Sequence, residues 1–224
     1  MRREISDIKM KLTIVYDNEL FRKDIGLKSD WGFSCLIELK YDAILFDTGA
    51  NGEILLSNMN RLDINPRDIK KIVISHEHGD HKGGLKSLVP YVKDIEVYHL
   101  GYKLSTEKMI SIIPNKPEKI NENVWTTGRL EGLIDEQSLV LKGDKDWCVL
   151  TGCSHSGVGK ILQIAKQIGN ISGIVGGFHD FNKFYLLEDL DFVCPCHCTA
   201  HKEDLTKALP DKITKCGVGK IIEI

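Results

Sequence analysis

Short apolar runs separated by turn residues recur along the whole of this 224-residue chain. Runs rich in β-branched and other apolar residues predict strands at 12–16, 33–39, 42–47, 71–75, 95–99, 138–141, 147–151, 172–176, 192–196 and 220–224. The short link at Lys40-Tyr41 predicts a hairpin between the second and third strands. Apolar residues at helical spacing predict helices over 52–61, 157–168 and 202–209, and a short helix over Leu85 and Leu88 that Gly83-Gly84 opens.

The order of these elements predicts the fold class. Strands come first and are then mixed with helices, which favours two sheets packed face to face over a doubly wound parallel sheet. We therefore predict an α/β (α+β) protein, an αββα sandwich of two mixed sheets with helices outside. Residues 106–123, with two prolines and many lysines and asparagines, are expected to form a loop or lid. We expect a single domain over 1–224, with residues 1–9 as a loose amino-terminal tail.

Composition limits the class of protein without naming a function. The hydrophobic fraction of 42% and the charged fraction of 28% are usual for a globular protein. A formal net charge of -2 gives no basic footprint for nucleic acid, and no apolar run has transmembrane length. Seven cysteines without a signal peptide favour free thiols in a reducing cytoplasm. We expect a cytoplasmic protein that binds a small-molecule substrate and neither nucleic acid nor a membrane. The oligomeric state stays open.

The segment SHEHGDH at 75–81 is the most informative part of the chain. Its three imidazoles and the carboxylate of Asp80 directly follow an apolar stretch, and such donors suit zinc, iron or manganese. Side chains two apart on an extended backbone point the same way, so His76 and His78 can converge on one ion. Gly79 permits a sharp turn, after which Asp80 and His81 can reach a second ion. The leading hypothesis is a two-metal hydrolytic site.

A zincin-type helix is the rival interpretation of this segment. It needs His-Glu-x-x-His, and Asp80 occupies the position of the second histidine. Gly79 also argues against a helix here. We expect Glu77 to be exposed rather than to act as a general base.

Three later histidines, His155, His179 and His197, each follow a predicted strand. Strand ends gather at one edge of a sheet, where a site can form. His99 and His201 are not expected to bind metal. The three tryptophans are expected in the core, at positions 31, 125 and 147.

The cysteine-rich run at 194–198 leaves a separate structural zinc site open as a second possibility. Cys194, Cys196 and Cys198 alternate there with Pro195 and His197. Thiols from one short strand cannot easily close a tetrahedron without partners from elsewhere in the chain, which argues against this interpretation.

Several motifs make the chain resemble the metallo-β-lactamase-fold superfamily over nearly its whole length. They are LFDTG at 45–49, His76-x-His78-x-Asp80-His81 and GGL at 83–85, followed by single later histidines. GCSH at 152–155, GGFH at 176–179 and HCT at 197–199 are most similar to one branch of the superfamily. That branch contains proteins described as metal-dependent hydrolases and the dihydropterin–ribofuranosylaminobenzene phosphate synthases. The resemblance implies the same αββα sandwich and a divalent-metal site.

The resemblance also implies ligand roles. One metal would be held by His76, His78 and His155, and the other by Asp80, His81 and His197. Asp47 would fix the ligand segment by hydrogen bonds, although a strand-end cap is an equal interpretation.

One position departs from the superfamily pattern. Cys153 stands where the superfamily often has a bridging aspartate. Either Cys153 binds metal as a thiolate, or His155 takes over the role of the missing aspartate, or one metal site is weak. We therefore expect one tightly held ion with a looser second one. Zinc is expected first, with manganese or iron as alternatives.

These features predict a metal-dependent hydrolase that uses a metal-activated hydroxide on a small ester, phosphoester or related substrate. The catalytic candidates are Asp80, as a proton acceptor, and His179. One alternative is a pterin-linked transferase of the methanopterin-biosynthesis type, which needs a pocket for a flat heterocycle and a cationic phosphate contact. Lys103, Lys116 and Arg129 are candidates for that contact. The other alternative is a non-catalytic metal- or ligand-binding protein.

Overall fold

A computed structural model describes residues 10–40, 42–103 and 106–224. Within these ranges two mixed β-sheets pack face to face, and helices cover their outer faces. The predicted sandwich is confirmed. The tail predicted at 1–9 and Tyr41 of the predicted hairpin link lie outside the described residues. No helix in the described ranges is long and apolar enough to cross a membrane.

The strands follow the predicted order closely. They are β1 (Lys11–Tyr16), β2 (Ser34–Glu38), β3 (Ala43–Phe46), β4 (Ile69–Val73), β5 (Ile95–Tyr98), β6 (Met109–Ile112), β7 (Glu118–Asn121), β8 (Val124–Thr126), β9 (Leu139–Lys142), β10 (Trp147–Thr151), β11 (Ile171–Gly177), β12 (Phe192–Cys196) and β13 (Ile221–Glu223). The helices are α1 (Gly52–Arg61), α2 (Gly79–Lys82), α3 (Leu85–Leu88), α4 (Val158–Ala165) and α5 (Lys202–Ala208). Short 3-10 turns lie at Pro66–Asp68 and Phe184–Leu187.

The two sheets each combine antiparallel and parallel pairing. The first has the order β13-β1-β2-β3-β4-β5-β6, and its strands are parallel from β3 to β6. The second has the order β12-β11-β10-β9-β8-β7, and its strands are parallel from β10 to β12. β2 and β3 pair antiparallel, as the hairpin prediction requires. Parallel strands need crossover connections, and α1 and α4 supply two of them.

The core consists of one layer between the sheets and one layer under each set of helices. In β3, Ile44 and Phe46 join the inter-sheet layer, whereas Leu45 packs with Leu55 and Met59 of α1. Both faces of the sheet are therefore buried, so both sets of alternating positions are apolar. This explains why the strands appear in the sequence as continuous apolar runs.

The loop or lid predicted over 106–123 is wrong in the described part of that segment. It contains β6, which pairs with β5, and β7, which pairs with β8. β6 and β7 are the last strands of their sheets, so this segment carries the chain from one sheet to the other. β6 buries only Met109, and β7 buries only Ile120. The apolar pattern that reveals the inner strands is therefore missing here.

The ligand segment enters a short helix at Gly79, where we expected a turn without a helix, whereas His76 and His78 precede that helix as expected. α2 begins at Gly79, and an added Cβ there would meet nothing within 4 Å. A glycine at the first helical position is tolerated, because its cost applies mainly to helix interiors. Gly83 and Gly84 follow, and Cβ atoms there would lie 2.2 Å from the carbonyl oxygens of Ala50 and Thr48. Their missing side chains let α2 and α3 pack directly on the loop after β3.

Candidate metal centre

The predicted ligands follow strands that end at the same edge of both sheets. β4 leads into His76 and His78, and α2 then carries Asp80 and His81. In the second sheet β10 leads into Cys153 and His155, β11 into His179 and β12 into His197. The rings of His76 and His155, from opposite sheets, have centroids 4.8 Å apart. Turns that are distant in the sequence therefore meet at this edge.

Three imidazoles form the first cluster of donors. The ring centroids of His76 and His78 are 4.7 Å apart, and those of His78 and His155 are 5.0 Å apart. His76 Nε2 lies 3.1 Å from His78 Nδ1. One ligand atom each from His76, Cys153 and His155 lies within 4.8 Å of the other two. This spacing is compatible with donors that share one ion.

The second cluster adjoins the first. Ligand atoms of His81, Cys153 and His197 lie within 4.8 Å of one another, and Cys153 Sγ is 3.1 Å from His81 Nε2. Asp80 Oδ2 lies 3.2 Å from His197 Nε2 and 3.8 Å from His81 Nε2. Since Cys153 belongs to both groups, its sulfur lies between the two clusters.

Asp47, fully buried at the end of β3, holds the ligand segment in place. Its Oδ1 accepts a hydrogen bond from the backbone N–H of Ser75 at 2.7 Å, and its Oδ2 accepts one from Ser75 Oγ at 2.7 Å. Oδ2 also lies 2.7 Å from His81 Nδ1. This contact places the proton of His81 on Nδ1 and leaves Nε2 free to face the cluster.

Glu136, which no sequence motif singles out, holds the second ligand turn, residues 153–155. The carboxylate is fully buried and accepts hydrogen bonds from the backbone N–H groups of Cys153, Ser154 and His155 at 2.8, 3.0 and 2.6 Å. Burial raises the pKa of Glu136, and the three N–H donors oppose that rise. The available signal was the acidic pair Asp135-Glu136 ahead of a predicted buried strand.

Asp17 and Asn18, which follow β1, orient His197 and were also missed. The backbone N–H of His197 donates to Asp17 Oδ2 at 2.9 Å, and His197 Nδ1 lies 2.9 Å from Asn18 Oδ1. Nδ1 must donate in the second contact, which leaves Nε2 of His197 directed at the cluster. The argument that singled out the histidines, polar residues directly after a strand, applies equally to these two residues.

Strained backbone concentrates around this edge. Among the described residues, six other than glycine have positive φ, and four of them are Asp47 (56°), Ser154 (61°), His179 (44°) and His197 (42°). A side chain in the left-handed region costs free energy, so surrounding contacts must hold it there. For Asp47 and His197 those contacts are the hydrogen bonds described above.

Burial keeps three of the clustered imidazoles neutral, those of His76, His155 and His197, whereas for His81 the Asp47 carboxylate outweighs burial and raises the pKa. Burial and the nearby rings of His78 and His179 lower the pKa of His155 to about 4. Burial likewise lowers the pKa of His76 and of His197. Burial alone would raise the pKa of Asp80, but the adjacent His197 and His81 rings outweigh it and hold that pKa below its usual range. Neutral imidazoles beside an ionised carboxylate are the protonation states that a divalent cation requires.

Two unpartnered ring nitrogens show that the donor set fits a metal ion. In the described part of the chain, His155 Nε2 and His197 Nε2 are buried without a hydrogen-bond partner. His197 Nε2 is close to Asp80, but the geometry is not that of a hydrogen bond. Buried polar atoms are normally satisfied, so unsatisfied ones need an explanation. A cation at each cluster would supply it.

Two aromatic side chains border the clusters. His179 is exposed, and its ring centroid is 5.0 Å from that of His155. Trp31, expected in the core, is 58% exposed, so that expectation is wrong. Its ring centroid lies 4.9 Å from that of His197. A hydrophobic residue exposed beside a polar site is compatible with a role in substrate contact.

The other two histidines and the three candidates for a phosphate contact have partners or surroundings outside the two clusters. His99 is buried and contacts Ser111 Oγ, and His201 contacts Asp180, as expected for residues outside the centre. Arg129 is paired with Asp135 and donates to the carbonyl oxygen of Leu100, so its guanidinium is already engaged. The other two candidates for a phosphate contact, Lys103 and Lys116, are exposed.

Comparison with known proteins agrees with this architecture. The family model of the metallo-beta-lactamase superfamily matches residues 32–143. An uncharacterized protein of Methanocaldococcus jannaschii is 27% identical, with 95% of this chain and 100% of the relative covered. The 7,8-dihydropterin-6-methyl-4-(beta-D-ribofuranosyl)-aminobenzene-5'-phosphate synthase of the same organism is 24% identical, with 87% of this chain and 90% of the relative covered.

Among solved structures, a metal-dependent hydrolase of the beta-lactamase superfamily is similar, with a TM-score of 0.75 at 24% identity. The likeness covers 96% of this chain and 99% of that protein.

Proposed function

Because this chain belongs to the metallo-beta-lactamase superfamily, we propose that it is a metal-dependent hydrolase of a small ester, phosphoester or related substrate. The observation that carries the proposal is the convergence of histidine nitrogens from both sheets on two adjoining clusters. Members of the superfamily commonly bind divalent metals. A bound divalent cation supplies a water of lowered pKa and a Lewis acid for the substrate oxygen.

We assign the ligands by cluster. His76, His78 and His155 hold one ion, and Asp80, His81 and His197 hold the other. Cys153 lies within reach of both groups, which favours its thiolate as a shared donor over its exclusion from the centre. Sulfur and imidazole donors together favour zinc, with manganese or iron as alternatives.

The two ions need not be held equally. Cys153 replaces a bridging carboxylate, and Asp80 supplies the only carboxylate of the proposed ligand set. We propose one tightly held ion and a looser second one. After exhaustive dialysis, anomalous diffraction at the zinc edge should show full occupancy at one cluster and partial occupancy at the other. Full occupancy at both clusters would contradict this.

The chain's own residues orient the substrate and move the proton. Asp80 is the proton acceptor, because its carboxylate is ionised and lies between the His81 and His197 rings. His179 stands exposed at the mouth beside His155, where it can hydrogen-bond to the substrate or donate to the leaving group. Asp47 and Glu136 fix the ligand segments from behind.

The test is hydrolysis of chromogenic phosphodiester, ester and lactone substrates by protein loaded with zinc, manganese or iron. His78→Ala or Asp80→Ala should lower kcat/KM at least about 100-fold, because each removes a group that stabilises the transition state. His201→Ala, a histidine outside the centre, is the matched control. Near-normal turnover of either site variant with its metal retained would refute the assignment.

A pterin-linked transferase is the second candidate, favoured by one observation. Trp31 offers an exposed flat ring beside His197, as a heterocyclic substrate would require. The similarity to the dihydropterin synthase supports the same idea. Against it, Arg129 is engaged by Asp135. Trp31→Ala should raise KM for aromatic substrates more than for aliphatic ones. Equal KM values would remove this support.

A further inference from the structure

A second cluster of donors lies apart from the metal centre and is built from sulfur. Cys194, Cys196 and Cys216 place their sulfur atoms within 4.8 Å of one another. Cys194 Sγ and Cys196 Sγ are 3.9 Å apart. Cys194 and Cys196 are fully buried, and Cys216 is partly buried. The histidine clusters of the metal centre include none of these three residues.

The fold explains why these thiols meet. Residues 194 and 196 lie two apart on β12, so their side chains leave the same face of the strand and enter the inter-sheet core. Pro195 between them is tolerated because β12 is the last strand of its sheet in the described ranges. The third thiol comes from a loop pinned to that strand, since the N–H of Thr214 donates to the carbonyl oxygen of Val193 at 2.9 Å.

Cys216 replaces the residue that the sequence suggested. Within the run 194–198 the third thiol, Cys198, points instead toward Cys153, and its Sγ lies 3.8 Å from the carbonyl oxygen of Cys153. A single strand could not close a tetrahedron, and Cys216 supplies the donor from elsewhere in the chain that such a site needs.

The spacing matches that of thiolates around one ion. Zinc–sulfur bonds of about 2.3 Å at tetrahedral angles separate two sulfurs by about 3.8 Å, and Cys194 and Cys196 are 3.9 Å apart. Asp17 Oδ2 lies 3.6 Å from Cys216 Sγ. A tetrahedral sulfur–oxygen pair on zinc is separated by about 3.6 Å. Asp17 is fully buried, so a neighbouring cation would also compensate its charge.

We propose that Cys194, Cys196 and Cys216 bind a thiophilic cation, zinc, with Asp17 as the oxygen donor on the fourth side. Each thiol gives up its proton to solvent when the cation binds. Asp17 also accepts the backbone N–H of His197, so this sulfur site fixes the turn that carries His197. The role is structural and does not depend on the hydrolase proposal.

The test counts sulfur ligands of zinc in the full chain. Cys153→Ala removes the thiol that lies between the two histidine clusters, and X-ray absorption at the zinc edge should then still show sulfur at about 2.3 Å. Adding Cys216→Ser should lower the zinc content by about one equivalent. Cys148→Ser, a buried cysteine outside the sulfur site, is the matched control and should leave the zinc content unchanged.

The proposal is overturned if zinc in the Cys153→Ala protein has nitrogen and oxygen neighbours alone. It is also overturned if adding Cys216→Ser leaves the zinc content unchanged. If Cys216→Ser does not fold, cobalt titration of the Cys153→Ala protein decides. Near-ultraviolet sulfur-to-cobalt charge-transfer absorption is expected, and its absence contradicts the sulfur site. Neither result bears on whether the histidine centre hydrolyses substrates.

Discussion

Asp47 shows how one buried carboxylate can select the donor atom of a candidate ligand that follows it by 34 positions. Its contact with His81 Nδ1 leaves Nε2 as the donor, and its two bonds to Ser75 fix the start of the ligand segment. Such contacts behind a ligand typically raise metal affinity. They also explain why an aspartate is held in left-handed backbone at the end of β3.

Asp47→Asn should weaken zinc binding about 10- to 100-fold, because the amide cannot orient and polarise His81 as a carboxylate does. Competition with a chromophoric chelator measures the affinity. The matched control is Asp63→Asn, an exposed aspartate that also has positive φ. Unchanged zinc affinity in Asp47→Asn would show that the contact plays no part in metal binding.

Glu136→Gln should lower the free energy of unfolding by about 1–3 kcal/mol. Oε1 accepts from Cys153 and Ser154 and Oε2 from His155, so an amide turns one acceptor into a donor that faces an N–H group. Urea denaturation of the metal-free protein measures the effect. Glu131→Gln, at an exposed position in the same segment, is the control. Equal loss in both variants would refute the structural role of Glu136.

At the scale of elements, the close packing of α2 and α3 on the loop after β3 positions Asp80 and His81. Gly84→Ala places a Cβ 2.2 Å from the carbonyl oxygen of Thr48, and should cost about 1–3 kcal/mol through overpacking. Gly79→Ala meets nothing within 4 Å and should leave stability unchanged or raise it by up to about 1 kcal/mol. Urea denaturation compares them, and equal effects would contradict this account of the glycines.

Most inner elements could be predicted from the sequence because both their faces are buried. β10 has the predicted bounds, and its apolar side chains pack on two layers. α1 also has the predicted bounds, because its one buried face has apolar residues at helical spacing. β6 and β7 could not be predicted, because each buries a single side chain and so has no apolar pattern. At the site, the metal motif revealed the histidines, whereas Glu136 acts through backbone contacts made only in the folded chain.

At the scale of the whole molecule, acid should destabilise the metal-free protein. The pKa of His155 falls from 6.5 to about 4 on folding, through burial and the neighbouring imidazoles. The unfolded state therefore binds more protons between those values, and stability falls as pH drops from about 6.5 toward about 4. Thermal unfolding in the presence of a chelator measures this loss of stability with falling pH, and the loss should be smaller in His155→Gln. An identical loss in both proteins would contradict the lowered pKa of His155 as its cause.

Anomalous diffraction at the zinc absorption edge, from crystals of the zinc-loaded protein, locates any bound ions among the histidines. We expect a strong peak within bonding distance of nitrogens from His76, His78 and His155, with a second peak beside Asp80, His81 and His197. Those positions join donors from both sheets around bound cations. Crystals soaked in zinc that show no anomalous peak among these six side chains would contradict the account.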